Sequence, residues 1–359
     1  MVLALLAVGV GWLLHFYFKI APALDGGEAG SLTQISDEEI EANGERFYNI
    51  LVLGIDYDKD DEGRDYADGK GNTDVIMYVQ IDRDTGKVNI LQIPRDSYTG
   101  PDIGEGVRSR TGKINEVYAN GPDQKNLINN IANQIYRMFK LPIDNFVTID
   151  MKAFKELLDI RGGIEMYVPW DIIHTEKDPN TGAVIGETVL VPQGNHRVSG
   201  STAEVILRNR NYAQADYKRL ETQQYFYAAL VRTFLEEYTM KDYYNTCYIA
   251  ASFVNTDLDI KEIFGLYATF TKIDPSNIFI IRLPGGGTRM PEYPTKDCYA
   301  LDRDKTAEIL NTYFRDPAHP VPAEKLEIAT EADGVTWPYG VTDDKGKTLG
   351  DVNPGGQGE

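Results

Sequence analysis

The sequence is poor in residues that hold soft metals. It has two cysteines, Cys247 and Cys298, and four histidines, His15, His174, His196 and His319. None falls at the paired spacing of a zinc site, so the spacing offers nothing to a zinc hydrolase. The cysteines are either buried thiols or, in an exported protein, partners in a disulfide, and the sequence alone leaves both open. Nucleotide fingerprints are also missing. No GxxxxGK[ST] or GxGxxG follows an apolar strand-like run, and no GxSxG elbow presents a nucleophilic serine. Positive charge is scarce: 36 Lys and Arg stand against 55 Asp and Glu, a formal net charge of −19. No basic run interrupts this acidity, so long-range electrostatics oppose nucleic acid as a partner. A local set of arginines can still build an anion site, because near partners outweigh a screened average. With only 17 prolines and 42% hydrophobic residues, the chain can bury a core and is not a disordered polymer.

One long hydrophobic run is present. Val2 to Phe18 is apolar apart from His15 and glycines, and it ends at Lys19. That is close to the shortest stretch that crosses a bilayer as a helix. Residues 1–19 read as a transmembrane anchor, and its usual basic flank is missing, so the positive-inside rule does not set its orientation. A signal-peptide core with Ala21-Pro22-Ala23 as its processing site and a buried helix are the competing readings. Residues 20–46, with Asp25-Gly26-Gly27-Glu28 and few large apolar groups, read as a linker outside the cytoplasm.

From Phe47 the pattern alternates between strands and helices. Tyr48 to Asp56 is an apolar run ending in acid, Asp74 to Ile81 a second strand, and Val88 to Ile93 a third, with a hairpin turn at Asp82 to Lys87 between the last two. Pro94 ends the third strand. Helical spacing covers Gln124 to Lys140, then Met151 to Leu158, Ser199 to Leu207, Tyr217 to Tyr238, Lys241 to Phe253, Ile260 to Thr271 and Lys305 to Phe314. Further strands are expected at Phe146 to Ile149, Gly163 to Pro169 and Ile278 to Arg282. Gly285-Gly286-Gly287 reads as a flexible loop, and 316–359 as a loose tail. This order describes an α/β domain over 47–315, a mixed central sheet with helices on both faces, a three-layer α-β-α sandwich.

Three acids stand at or beside strand ends: Asp56, Asp74 and Asp96. Two carboxylates facing each other across neighbouring strands would suit Mg2+, which takes oxygen ligands and keeps places for phosphate and water. The bland alternative for each is a solvated surface acid. Arg95 lies at a strand exit, Arg219 opens a long helix, and Arg208 and Arg210 share a direction if that segment is extended. Guanidiniums at such junctions can clamp a pyrophosphate, or simply form surface pairs of small value.

These residues carry a resemblance. Asn49 to Asp56, Thr73 to Met77, Ile93 to Ser97, Gly112 to Ala119, the Asp159 to Pro169 segment, Gly194 to Gly200, Ala203 to Arg210 and Asp216 to Gln224 follow in the order found in the LytR-CpsA-Psr family of bacterial wall-polymer ligases. The resemblance implies an anchored enzyme whose domain lies outside the cytoplasmic membrane. It would bind a polyprenyl-pyrophosphate-linked glycan in an apolar tunnel and transfer the glycan phosphate to peptidoglycan with Mg2+, attaching teichoic acid, capsule or a related polymer. By likeness, Asp56 and Asp74 are the metal-associated acids. Arg95, Arg208, Arg210, Arg219 and Gln223 form the pyrophosphate set, with Lys113 and Asn115 in another motif, and Asp96 or Asp74 would take the acceptor's proton. The sequence departs from the family pattern at Asn72 and Thr222, where Arg is common, and at Asp58-Lys59-Asp60, where Arg64 is the nearest substitute for an arginine. A carrier phosphatase and a non-catalytic wall-binding or regulatory module are the rival functions.

Overall fold

The structure, a computed structural model, describes residues 46–56, 71–100, 112–178, 180–209, 215–236, 254–258, 274–291, 297–336 and 346–352. The expected anchor, nearly all of the linker, Arg64, Arg210, Cys247 and the two helices expected within 241–271 lie outside the described residues. Among the described residues no helix is long and apolar enough to cross a membrane.

β1 (Phe47–Asp56), β2 (Asn72–Asp82) and β3 (Val88–Gln92) form an antiparallel meander. The expected turn joins the last two. Gly86 has φ +68°, and its N–H donates to Asp82 O at 2.8 Å. α1 (Val117–Asn120) and α2 (Leu127–Phe139) follow, and α2 buries Ile128, Ile131, Ile135, Met138 and Phe139 along the side facing the sheet. β4 (Asn145–Asp150) lies parallel to β1 and leads directly into α3 (Met151–Ile160). Asp150 caps that helix, its carboxylate accepting from Lys152 N at 2.6 Å.

Two ribbons come next: β5 (Ile164–Val168) with β8 (Gly194–Val198), and β6 (Ile172–Lys177) with β7 (Val184–Val191). Val184, Ile185, Val189 and Leu190 of β7 are exposed, and this hairpin has no signature in the sequence reading. α4 (Gly200–Arg208) is capped by Ser199, and α5 (Ala215–Glu236) is the longest helix described. β9 (Val254–Thr256), β10 (Ile278–Arg282), β11 (Gly285–Arg289), β12 (Asp297–Leu301), α6 (Arg303–Tyr313) and β13 (Lys347–Thr348) complete the order.

The central sheet has seven strands in the order β13-β10-β3-β2-β1-β4-β9. β1, β3, β4 and β10 run in one direction. Leu51, Leu53, Ile55, Ile76 and Leu91 face α1, α2 and α6, while Tyr48, Ile50, Ile81 and Ile90 face α3, α4 and α5. Each large apolar side chain so buried contributes about 1.5–3 kcal/mol. The sandwich of helices on both faces of a mixed sheet is therefore the architecture the alternating pattern describes.

Three expectations are corrected. Gly285-Gly286-Gly287 is a buried strand, not a flexible loop. A Cβ at Gly285 would stand 2.2 Å from Ala300 O, so only glycine allows that approach. The loose tail is packed in two stretches: Leu326, Ile328 and Val335 are buried, and β13 pairs with β10 while Leu349 and Val352 enter the core. Arg208 ends a helix, so the extended segment that would align it with Arg210 does not include it.

Candidate active site

The carboxyl ends of β1 and β3 and the start of β2 meet at one end of the sheet, where ligands of open α/β folds generally bind. A bulge shapes this end. Gly54 opposes Val75 while Ile55 opposes Thr73, which leaves Asp74 as the extra residue of β2. Strict alternation would put Asp74 on the face of Ile76 and Tyr78, inside the apolar layer. The bulge turns it to the other face, beside Asp56. Gly54 makes room, because a Cβ there would sit 2.9 Å from Val75 Cβ.

Carboxylates and cations then alternate. Arg208 Nη2 donates to Asp56 Oδ2 and lies 3.9 Å from Asp74 Oδ2. Arg95 Nη1 donates to Asp74 Oδ1 at 2.5 Å, and its Nε lies 3.8 Å from Asp96 Oδ2. Asp96 in turn accepts from Lys113 Nζ at 2.8 Å and Arg219 Nη2 at 2.9 Å. Three acids far apart in sequence thus share four cations. The sequence-derived residues Asp56, Asp74, Asp96, Arg95, Lys113, Arg208 and Arg219 come together. Asn115 supports them from the backbone, its N–H donating to Arg95 O at 3.1 Å and its carbonyl accepting from the Thr73 hydroxyl at 3.2 Å. Gln223 accepts from Gln92 Nε2 at 2.9 Å and donates to Leu207 O at 3.0 Å, tying α4 and α5 to β3.

Burial would raise the pKa of Asp96, but Arg219, Arg95 and Lys113 outweigh it and hold the carboxyl far below the ordinary range. Asp96 is an anion at neutral pH with both oxygens occupied. It organises cations and is a poor proton acceptor near neutral pH. Burial, helped by Asp74, raises the Tyr227 phenol instead, so it stays a neutral hydroxyl. Arg219, Gln223 and Tyr227 recur at helical spacing on one face of α5, and together with Asp74, Gln92 and Arg95 they line a cavity of about 10 Å3. That holds one water, not a polyprenyl chain.

Sequence reasoning missed Gln92, Tyr227 and Arg282. Gln92 and Arg282 are Cα partners at the ends of β3 and β10, and both are buried. A polar residue closing an otherwise apolar run was the available signal. Tyr227 gave none beyond its spacing from Arg219 and Gln223.

Asp56 and Asp74 are both directed at one cationic nitrogen, Arg208 Nη2. The pair therefore fits a hard cation held by two carboxylates, the remaining ligands being water and phosphate oxygens. No cluster of three metal-binding side chains occurs among the described residues.

The sequence profile of the LytR_cpsA_psr family matches residues 25–315. The chain belongs to this family. TagV of Bacillus subtilis, a curated polyisoprenyl-teichoic acid–peptidoglycan teichoic acid transferase, is 26% identical over 284 residues, 76% of this chain and 67% of TagV. TagU of the same organism, which bears the same activity in its name, is 27% identical over 165 residues, 45% of this chain; the match spans about half of TagU, 48%. The crystal structure of Bacillus subtilis TagV superposes with a TM-score of 0.57 at 20% identity, covering 79% of this chain and 99% of that one, a likeness of fold. Two positions where the resemblance leads to an expected Arg hold neutral residues. Asn72 is the Cα partner of Asp56, and Thr222 is fully buried with its hydroxyl donating to Lys218 O at 2.7 Å.

Proposed function

We propose that this protein transfers a glycan phosphate from a polyprenyl-pyrophosphate carrier to peptidoglycan, outside the cytoplasmic membrane to which residues 1–19 anchor it. The observation that carries the reading is the convergence of Arg95, Lys113, Arg208 and Arg219 on Asp56, Asp74 and Asp96. Such a set can exchange its internal ion pairs for the oxygens of a pyrophosphate. Phosphoryl transfer needs little else than charge neutralisation and alignment. Arg95 and Arg208 would face the transferred phosphoryl oxygens, while Asp96 holds Lys113 and Arg219 in place behind them. Asp56 and Asp74 would hold Mg2+, which would supply charge neutralisation when bound. Asp96, whose oxygens are taken by Lys113 and Arg219, is a poor acceptor of the wall hydroxyl's proton, and Asp74 would take it only through an oxygen that neither Arg95 nor Mg2+ occupies. The hydroxyl oxygen bonds to the glycan-linked phosphorus, and polyprenyl phosphate leaves.

Room for the lipid is supported by the sheet face beside the cluster. Val52, Val75, Met77, Val79 and Val147 are apolar yet only half-buried there. The names of TagU and TagV favour teichoic acid as the polymer. The test is product analysis with a labelled polyprenyl-pyrophosphate glycan, with and without wall fragments, while Mg2+ is titrated. Label should reach the wall fragments and should fail to do so in Asp74→Asn. Release of glycan phosphate to water at the same rate with and without wall would make the protein a carrier phosphatase instead.

A further inference from the structure

The sheet has a second polar end. Phe47 and Asn49 of β1 and Gln80 of β2 border a pocket of about 380 Å3, closed by Lys140, Arg315, His319 and Lys325 and their neighbours. It lies roughly 23 Å from Asp56, at the rise of a strand. In a chain of net charge −19, no acidic residue lines it among the described residues. Nearby carboxylates are already engaged. Asp82 and Asp316 accept from Arg46, Asp144 from Asn49, and Glu327 from Arg137 and Lys140.

Arg315 is the centre of the pocket's chemistry. The residue is 8% exposed, its Nη1 donates to Asn311 Oδ1 at 3.0 Å and its Nη2 to Phe139 O at 2.5 Å. Both acceptors are neutral, and a guanidinium has five N–H groups to satisfy. No carboxylate pairs with it among the described residues, and desolvation pulls its pKa down to about 10. Part of the charge is met by the carboxyl end of α2, where the Phe139 carbonyl lies. The rest is a buried positive charge without a carboxylate partner among the described residues, and an anion bound beside it would compensate it. Lys325 and His319 are exposed at the mouth, and Lys325 forms no ion pair among the described residues.

We propose that this pocket is a second anion site, separate from the transfer cluster, which takes a phosphate ester. The volume suits a single sugar- or glycerol-sized group. A tetrahedral phosphate offers acceptors to the spare guanidinium N–H groups and to the ammonium of Lys325 together, which a flat carboxylate does less completely. A soluble ester, such as a phosphate-bearing glycan unit, and the headgroup of an anionic lipid share this chemistry.

The test reads the His319 ring by proton NMR in the full-length chain, its signal assigned with His319→Gln. His319 lies in this pocket only, so binding at the transfer cluster does not move it, and no transfer assay enters. Glycerol phosphate is titrated against chloride at matched ionic strength, and nanodiscs containing phosphatidylglycerol are compared with phosphatidylcholine discs. A saturable shift with glycerol phosphate, weakened at least about tenfold in Lys325→Glu, supports a site for soluble esters. A Lys325-dependent shift confined to phosphatidylglycerol supports the same site with a headgroup as its source. Lys325→Glu is the deciding variant because Arg315→Gln also removes a contact to α2. Shifts no larger than those with chloride and phosphatidylcholine, or shifts unchanged in Lys325→Glu, overturn the proposal.

Discussion

The two ends of the sheet bury arginines in opposite ways. At the carboxyl end Arg219, 5% exposed, meets the carboxylate of Asp96. At the amino end Arg315, 8% exposed, meets only a backbone carbonyl and an amide oxygen among the described residues. Burial alone therefore says little about what an arginine does. The company it keeps decides whether its charge holds other groups in place or remains available. At the carboxyl end the protein supplies its own anions, and these keep the guanidiniums aligned before any substrate arrives. At the amino end no carboxylate among the described residues meets Arg315.

Removing an acid should separate the two ends most strongly. Asp96→Ala leaves Arg219, Lys113 and Arg95 facing one another in a buried place, and a loss of about 3 to 5 kcal/mol is expected by urea unfolding. A loss below 1 kcal/mol would mean that the cluster is solvated like a surface and that the contrast fails. Arg95→Lys keeps the charge but loses the fork that reaches Asp74 and a phosphate together. Transfer should fall at least about tenfold, near 1.4 kcal/mol, with the melting temperature little changed.

Acid should act on one end first. The pKa of Asp96 is depressed by folding, so its contribution is complete at neutral pH, above the unfolded value of about 3.9. It is lost only as pH falls below that value, towards the lower folded one. The stability difference between the parent and Asp96→Asn should thus be flat from about pH 5 to pH 8 and shrink below about pH 4. A gap that widens on acidification would reverse the assignment of the ion pairs. Arg315→Gln should cost less, about 1 to 2 kcal/mol, since it loses hydrogen bonds to neutral acceptors and no ion pair. Lys325→Ala, exposed at the pocket mouth, should stay within about 0.5 kcal/mol of the parent.

Much of the sandwich was legible because apolar spacing and burial coincide. The run Asn49 to Ile55 had to be a central strand, and Ile128, Ile131 and Ile135 had to be one helix face. The ribbon of β6 and β7 was not legible, because four large apolar residues of β7 point to solvent and blur the alternation. The triple glycine carries no side-chain pattern at all, and its pairing with β12 is written only in the partner strand. At the site the residue types were legible, and their convergence was not. That Asp74 faces Asp56 depends on one unpaired position in β2, and a bulge leaves almost no mark in a sequence. The packed stretches after residue 316 escaped because few apolar residues hold them.

Those last stretches have a consequence for how the protein is made. β13 is two residues long, yet it covers the edge of β10, and Arg232 of α5 donates to the carbonyls of Leu349 and Val352 beside it. The border of the sheet is thus finished by residues that leave the ribosome long after β1 to β3. Until residue 352 has emerged, β10 offers an open row of amides and carbonyls to any passing strand. A nascent or prematurely terminated chain is therefore sticky along that border, and the chain that carries residues 347–349 covers Ile278 to Ile280 of it.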